Sequence, residues 1–228
     1  MNQQNSRTSR RKFLSTTANA AATMGLLTLA PAMSLSANDL KSLNDNTPEG
    51  SDEWFNQFKG KHKIAYDATE THQAMPLAWS WVFMNTNNET GTPDSALSTL
   101  VILRHNAICM GLENRIWEKY NFGETYEQTD PKTKAPSKRN FYYNAQEGDL
   151  MVPDWSIEKL QKRGVKFAIC NMAIYVMSMF KAKEMGLDHE TVRKDYISGI
   201  LPDIKLVPSG VWALGRAQEH GMAYCFAG

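Results

Sequence analysis

The chain has 228 residues, 42% of them hydrophobic and 21% charged, enough for one packed domain that needs no staples. Setting aside positions 1–37, which hold four basic and no acidic residues, leaves 21 Lys+Arg against 24 Asp+Glu, a net charge of −3; that mild acidity excludes a nucleic-acid or anionic-membrane partner held by a basic stripe. Cys109, Cys170 and Cys225 are odd in number and widely spaced, which excludes a disulfide framework, and no C-x-x-C or zinc-like spacing is present.

Ser9-Arg10-Arg11-Lys12-Phe13-Leu14 is a twin-arginine pattern, followed by a weakly apolar run from Ala18 to Met33 and by small residues before Asn38. We expect an export leader over 1–37, cleaved after Ala32 or Ala37, and a periplasmic location. The run is too short and polar to span a bilayer, so no membrane insertion is expected after cleavage. Residues 38–60 are polar and read as an arm with a short helix near Trp54–Phe58.

Residues 61–228 read as a single domain. A strand over Lys63–Asp67 leads through the polar loop Thr69-Glu70-Thr71-His72 into a helix from Met75 to Asn85, with Pro76 in the first turn, where its missing N–H costs nothing. Ala96–Leu103 is a near-continuous apolar run, as expected of a central strand covered on both faces. Arg104-His105-Asn106 follows, and then a helix from Ala107 to Tyr120. Residues 121–154 have turn and charge signals but no apolar period; with Phe141-Tyr142-Tyr143 to keep from water, this insertion reads as a lid or a subunit contact. The rhythm then resumes with a helix over Trp155–Arg163, a strand ending at Cys170 and a helix from Asn171 to Met185. A short helix at His189–Ser198, a strand over Asp203–Val207, the turn Pro208-Ser209-Gly210, a helix over Val211–Gln218 and a strand over Met222–Phe226 complete the chain.

Strands alternating with helices of about 10–15 residues predict an α/β three-layer sandwich. The sheet should be mostly parallel with helices on both faces, and the last strand should lie at its edge. Ligands gather outside the carboxyl ends of such strands. Four loops should therefore converge there: Thr69–His72, Arg104–Asn106, Cys170-Asn171 and Pro208–Gly210. They place one thiol, two imidazoles and two helix N-termini on one rim.

Cys170 is the foremost candidate, because a helix N-terminus stabilises thiolate over thiol; the alternative is a small buried hydrophobe. His105 suits a proton shuttle or a ligand to metal or haem, and His72 could line the same rim. His105 and Cys109 are four apart and would share a helix face, a two-point metal site at most. Met172, Met177, Met179 and Met185 crowd one helix as core filler or a soft-metal face. Trp79, Trp81 and Phe83 alternate around their helix, which suggests burial on two sides and self-association. Ser209 reads as a helix N-cap worth about 1 kcal/mol. G-x-S-x-G, G-x-G-x-x-G and Walker loops are absent, which disfavours serine-hydrolase, dinucleotide and NTP chemistry.

Gly164-Val-Lys-Phe-Ala-Ile-Cys170-Asn, Ile200-Leu-Pro-Asp-Ile-Lys-Leu-Val-Pro-Ser-Gly210-Val, Gly221-Met-Ala-Tyr and Val101-Ile-Leu-Arg-His105 together resemble the DsrE/DsrF-like family, in its exported twin-arginine branch. The similarity covers roughly 62–228, with 121–154 as that branch's own insertion. It implies a small three-layer α/β fold assembled into trimers or hexamers, with a cysteine at the position of Cys170 that carries sulfur as a persulfide. The chain departs from the family's best-understood members in being exported, and in having Tyr175-Val176-Met177-Ser178 where an arginine-glycine ending is usual.

The expected function is a periplasmic sulfur relay or sulfur-binding protein, without cofactor or metal ligand. Its partner would be a small sulfur species or a protein thiol. Cys170 would accept sulfur, with His105 as acid/base and Asn171, His72, Ser209 and Gly210 binding around it. The rival is a haem or soft-metal module with His105, His72 or a methionine as ligand. A third possibility is an oligomeric partner without chemistry of its own.

Overall fold

The computed structural model describes residues 52–227; the leader read in 1–37 and most of the arm lie outside the described residues. Five strands form one sheet: β1 (His62–Ala68), β2 (Leu97–Leu103), β3 (Lys166–Cys170), β4 (Ile204–Val207) and β5 (Ala223–Phe226). Their order is β4-β3-β2-β1-β5 and every pairing is parallel. The last strand lies at the edge, as expected.

Period-two alternation sorts the strand residues between two cores. Val101, Leu103, Phe167 and Ile169 enter the larger one, together with Leu77, Trp117, Phe122 and Tyr142. Leu100, Ile102, Ala65 and Ala168 enter the smaller one with Phe55, Ala213, Leu214 and Ala217. Both faces of β2 are thus buried, which is why its sequence shows a continuous run rather than alternation. Each fully buried Leu, Ile or Phe here stabilises by roughly 1.5–3 kcal/mol.

The order also fixes which face each helix covers. From β1 to β4 the chain steps in one direction, so right-handed crossovers put the intervening helices on one face. These are α1 (Met75–Glu89), α2 (Asn114–Lys119), α3 (Phe122–Thr125), α4 (Ile157–Lys162), α5 (Asn171–Met185) and α6 (His189–Ser198). Between β4 and β5 the chain crosses back over the sheet, so α7 (Gly210–Glu219) lies on the other face. A 3-10 turn at Glu53–Gln57 shares that face, with Phe55 fully buried and its ring 5.8 Å from that of Trp212. The end of the polar arm is therefore part of the core.

The structure departs from the sequence reading after β2. Instead of one helix over 107–120, a 3-10 helix spans His105–Gly111, and α2 begins only at Asn114. Gly111 explains the break: a Cβ there would lie 3.0 Å from Leu103 Cδ1 and Ile169 Cδ1, so the chain presses on the sheet too closely for a helix with ordinary side chains. Leu112 then bridges antiparallel to Ile200.

The insertion is packed against its own chain. Phe141 and Tyr142 are buried, and both rings stack near Trp117. Asn140 Nδ2 donates to the Met110 and Leu112 carbonyls at 2.8 Å each. These aromatics are dry without any subunit to cover them. Among the described residues no helix is long and apolar enough to cross a membrane.

Candidate functional site

β3 leads into α5 on one face and β4 into α7 on the other. The carboxyl ends of adjacent strands therefore part around a crevice, the switch point at which α/β sheets bind ligands. A cavity of about 240 Å³ opens there, lined by Cys170, Met172, Ala173, Val176 and Met177 from the β3–α5 side, Ser209, Gly210 and Val211 from the β4–α7 side, and Arg104 and His105 from the end of β2.

Cys170 is the N-cap of α5, and its Sγ accepts a hydrogen bond from Ala173 N at 3.2 Å. Only 5% of the residue is exposed; Cys170 belongs to the edge of the larger core and at the same time lines the cavity. Ser209 caps α7 in the expected way, its Oγ accepting from Trp212 N at 3.1 Å. Gly210 allows a close approach: a Cβ there would sit 2.8 Å from Arg104 Cβ and 2.9 Å from Cδ. The absence of a side chain at 210 is what lets Arg104 run along the first turn of α7.

Arg104 makes a bidentate pair with Asp67, Nε to Oδ1 at 2.6 Å and Nη2 to Oδ2 at 2.9 Å, and Tyr224 Oη donates to Asp67 Oδ2 at 3.0 Å. Those hydrogen bonds, opposed by partial burial and helped by the charge of Asp67, push the guanidinium above its ordinary pKa. His105 has φ 51°, a left-handed conformation that a residue with a Cβ adopts at a cost. Its ring is half exposed, and Nδ1 lies 3.0 Å from Glu70 Oε1.

Of the six residues singled out from the sequence, Cys170, His105, Ser209 and Gly210 meet at this cavity. His72 does not. His72, Gln73 and Ala74 have φ of 38°, 54° and 71°, and this left-handed turn carries His72 to a separate cleft of about 510 Å³ against the insertion, beside Gln128 and Tyr142. Asn171 does not join the site either. It is 1% exposed, is absent from the cavity wall, and accepts from Arg193 Nη2 at 3.2 Å, so it pins α5 to α6. The His105/Cys109 pairing also dissolves, because Cys109 is fully buried and the intervening turn is 3-10.

Sequence reasoning missed Glu70, Arg104 and the Asp67–Tyr224 support, which it passed over as loop and strand-end residues. A usable signal was present: Asp67 near the end of β1 and Arg104 just past β2 are opposite charges on neighbouring parallel strands. Among the described residues no group of three or more His, Cys, Asp and Glu is arranged to hold a metal.

No known protein family matches this chain, and no curated protein matches it. Among solved structures it is similar to MTH1491 from Methanobacterium thermoautotrophicum, a protein of unknown function. The two share 14% identity at a TM-score of 0.38, over 73% of this chain and 99% of that one.

Proposed function

We propose that this is an exported sulfur-relay protein of DsrE/DsrF type, with Cys170 as the sulfur-accepting nucleophile. The observation that carries the reading is the position of Cys170: its sulfur caps α5, and the residue lines a switch-point cavity together with His105, whose imidazole is oriented by a carboxylate. A nucleophile, a base and a group that orients the base are the parts covalent catalysis requires. His105 takes the thiol proton. The thiolate attacks a sulfane sulfur, the donor's S–S bond breaks, and the leaving thiolate takes the proton back, leaving Cys170 as a persulfide that a second thiol can collect. Glu70 fixes the ring, Ser209 and Gly210 shape the wall, and no cofactor is required.

The twin-arginine leader supports a periplasmic location. Trp79, Tyr224 and Phe226, each about half exposed, give a homo-oligomer such as a trimer or hexamer apolar surface to bury. The test is intact-protein and peptide mass spectrometry after incubation with polysulfide. Wild type should gain one-sulfur increments at Cys170 and Cys170→Ser should not; absence of any gain in wild type overturns the proposal.

One observation favours a second reading. Met172 and Met177 line the cavity beside Cys170 and His105, a soft donor set of the kind copper(I) prefers. Haem suits it poorly, since about 240 Å³ is below the ~300–1,000 Å³ of sites for drug-sized ligands. Stoichiometric copper in protein purified from its own compartment, lost in Met172→Leu, would favour this reading over sulfur relay.

A further inference from the structure

We infer that the Cys170 cavity selects uncharged, apolar sulfur donors, dialkyl polysulfides as a class, and excludes sulfur oxyanions such as thiosulfate. This rests on the sulfur-relay reading and names its substrate.

The inference comes from counting what could neutralise a second anion beside the thiolate. Arg104 supplies the cavity's permanent cation, but Asp67 neutralises it in a bidentate pair at 2.6 and 2.9 Å, which takes two of its five N–H donors. Of the helix-terminal amides, Ala173 N is spent on Cys170 Sγ and Trp212 N on Ser209 Oγ. The charge behind His105 is the carboxylate of Glu70, which repels an anion. The side chains that remain are Met172, Ala173, Val176, Met177 and Val211, apolar walls that return no hydrogen bonds to an anion. A buried charge without partners is strongly disfavoured. A chain of sulfur atoms capped by alkyl groups loses little on entry and gains contact with two polarisable thioethers.

The chemistry closes without an external oxidant. The Cys170 thiolate attacks the central sulfur of R–S–S–S–R, forming Cys170–S–S–S–R and releasing R–S⁻. That thiolate, held in the small cavity, attacks the alkyl-bearing sulfur, forming R–S–S–R and leaving Cys170–S–S⁻. The proton His105 took from the thiol is available to the persulfide. One sulfane sulfur has moved and one disulfide has replaced one trisulfide.

The test measures charge selection directly. Modification of Cys170 by neutral methyl methanethiosulfonate and by its anionic 2-sulfonatoethyl analogue is followed by mass spectrometry, and the rate ratio is compared with that for 2-mercaptoethanol. The neutral-to-anionic ratio should be at least about tenfold higher at Cys170. Asp67→Asn, which frees Arg104, should lower it several-fold. Val211→Lys, at a position 68% exposed on the cavity wall, should do the same without touching the core. Dimethyl trisulfide should load Cys170 with sulfur faster than thiosulfate. A ratio equal to that of 2-mercaptoethanol, or thiosulfate loading as fast as dimethyl trisulfide, overturns the inference. An elevated ratio with no sulfur gain from any donor overturns the relay reading and leaves charge selection standing.

Discussion

His105 Nδ1 lies 3.0 Å from Glu70 Oε1, and the same carboxylate oxygen accepts from Asn106 Nδ2 at 3.0 Å. A carboxylate only accepts, so an imidazole in its neutral form donates here from Nδ1 and keeps its lone pair on Nε2. Two consecutive residues anchored on one carboxylate also hold His105 in its left-handed backbone conformation. The loop after β1 thus fixes the tautomer and position of a base on the loop after β2.

In the sulfur-relay proposal that coupling sets the reactivity of Cys170. His105→Ala should slow iodoacetamide alkylation of Cys170 at neutral pH by about a hundredfold, the scale of a lost general base. Glu70→Gln should slow it by about tenfold and change the pH profile, while Glu70→Asp, which keeps the charge, should recover most of the rate. Identical profiles in wild type and Glu70→Gln, with folding confirmed by circular dichroism, would refute the role given to Glu70.

The three thiols should differ in order of reaction. Cys109 is fully buried, and burial foremost, with the nearby charge of Glu70 adding to it, pushes its thiol far above the ordinary range. Cys225 is partly exposed, and burial pushes its thiol up as well. In native protein, alkylation mapped by peptide mass spectrometry should reach Cys170 first and Cys225 next; Cys109 should react only on unfolding.

Gly210→Ala tests the contact with Arg104. The new methyl would have to displace backbone-proximal atoms of Arg104 rather than a flexible tip, since Cβ itself is 2.8 Å away. Overpacking of this kind costs about 1–3 kcal/mol. The urea midpoint should fall accordingly with unchanged slope, and Cys170 alkylation should change with it, because Arg104 lines the same cavity.

The fold was legible because its signals are local. Alternating strand and helix patterns gave the five parallel strands and the edge position of Ala223–Phe226, and Pro208-Ser209-Gly210 announced the cap of α7. Convergence of three loops was legible too, since topology alone sends strand ends to one rim. What failed depends on backbone conformation that no periodicity encodes. The left-handed turn at His72–Ala74 diverted an imidazole that spacing had placed on the rim. Gly111 replaced a long helix with a 3-10 turn, burying Cys109 away from His105. Asn171 sits next to Cys170 in sequence, but the 3.6-residue period of α5 aims it at Arg193 and away from the cavity.

The insertion should be the acid-labile part of the molecule. Arg139 joins Asp130 and Asp149: Nε is 2.7 Å from Asp130 Oδ2, and Nη2 is 2.7 Å from Asp149 Oδ1. Burial raises both carboxyls, but the Arg139 guanidinium and backbone N–H groups outweigh it, holding Asp130 down at about 2 and Asp149 below the usual range. A depressed folded-state value means the unfolded chain binds protons first. The stabilisation is therefore complete above the unfolded carboxylate value of about 3.9 and is lost as pH falls toward 2. For Asp130 it amounts to about 2 kcal/mol. Urea unfolding monitored by tryptophan fluorescence should show that loss between about pH 4 and pH 2. Arg139→Met should weaken the trend. Asp130 keeps the Lys132 and Thr133 backbone N–H groups, and Asp149 keeps Gln146 N and the Lys132 ammonium at 3.6 Å, but both lose the guanidinium, and the variant should be about 1–3 kcal/mol less stable than wild type at neutral pH. Its folded-state carboxyl values then lie closer to those of the unfolded chain, so acid should narrow the gap; a gap independent of pH would show that Arg139 is not what holds the two carboxylates ionised.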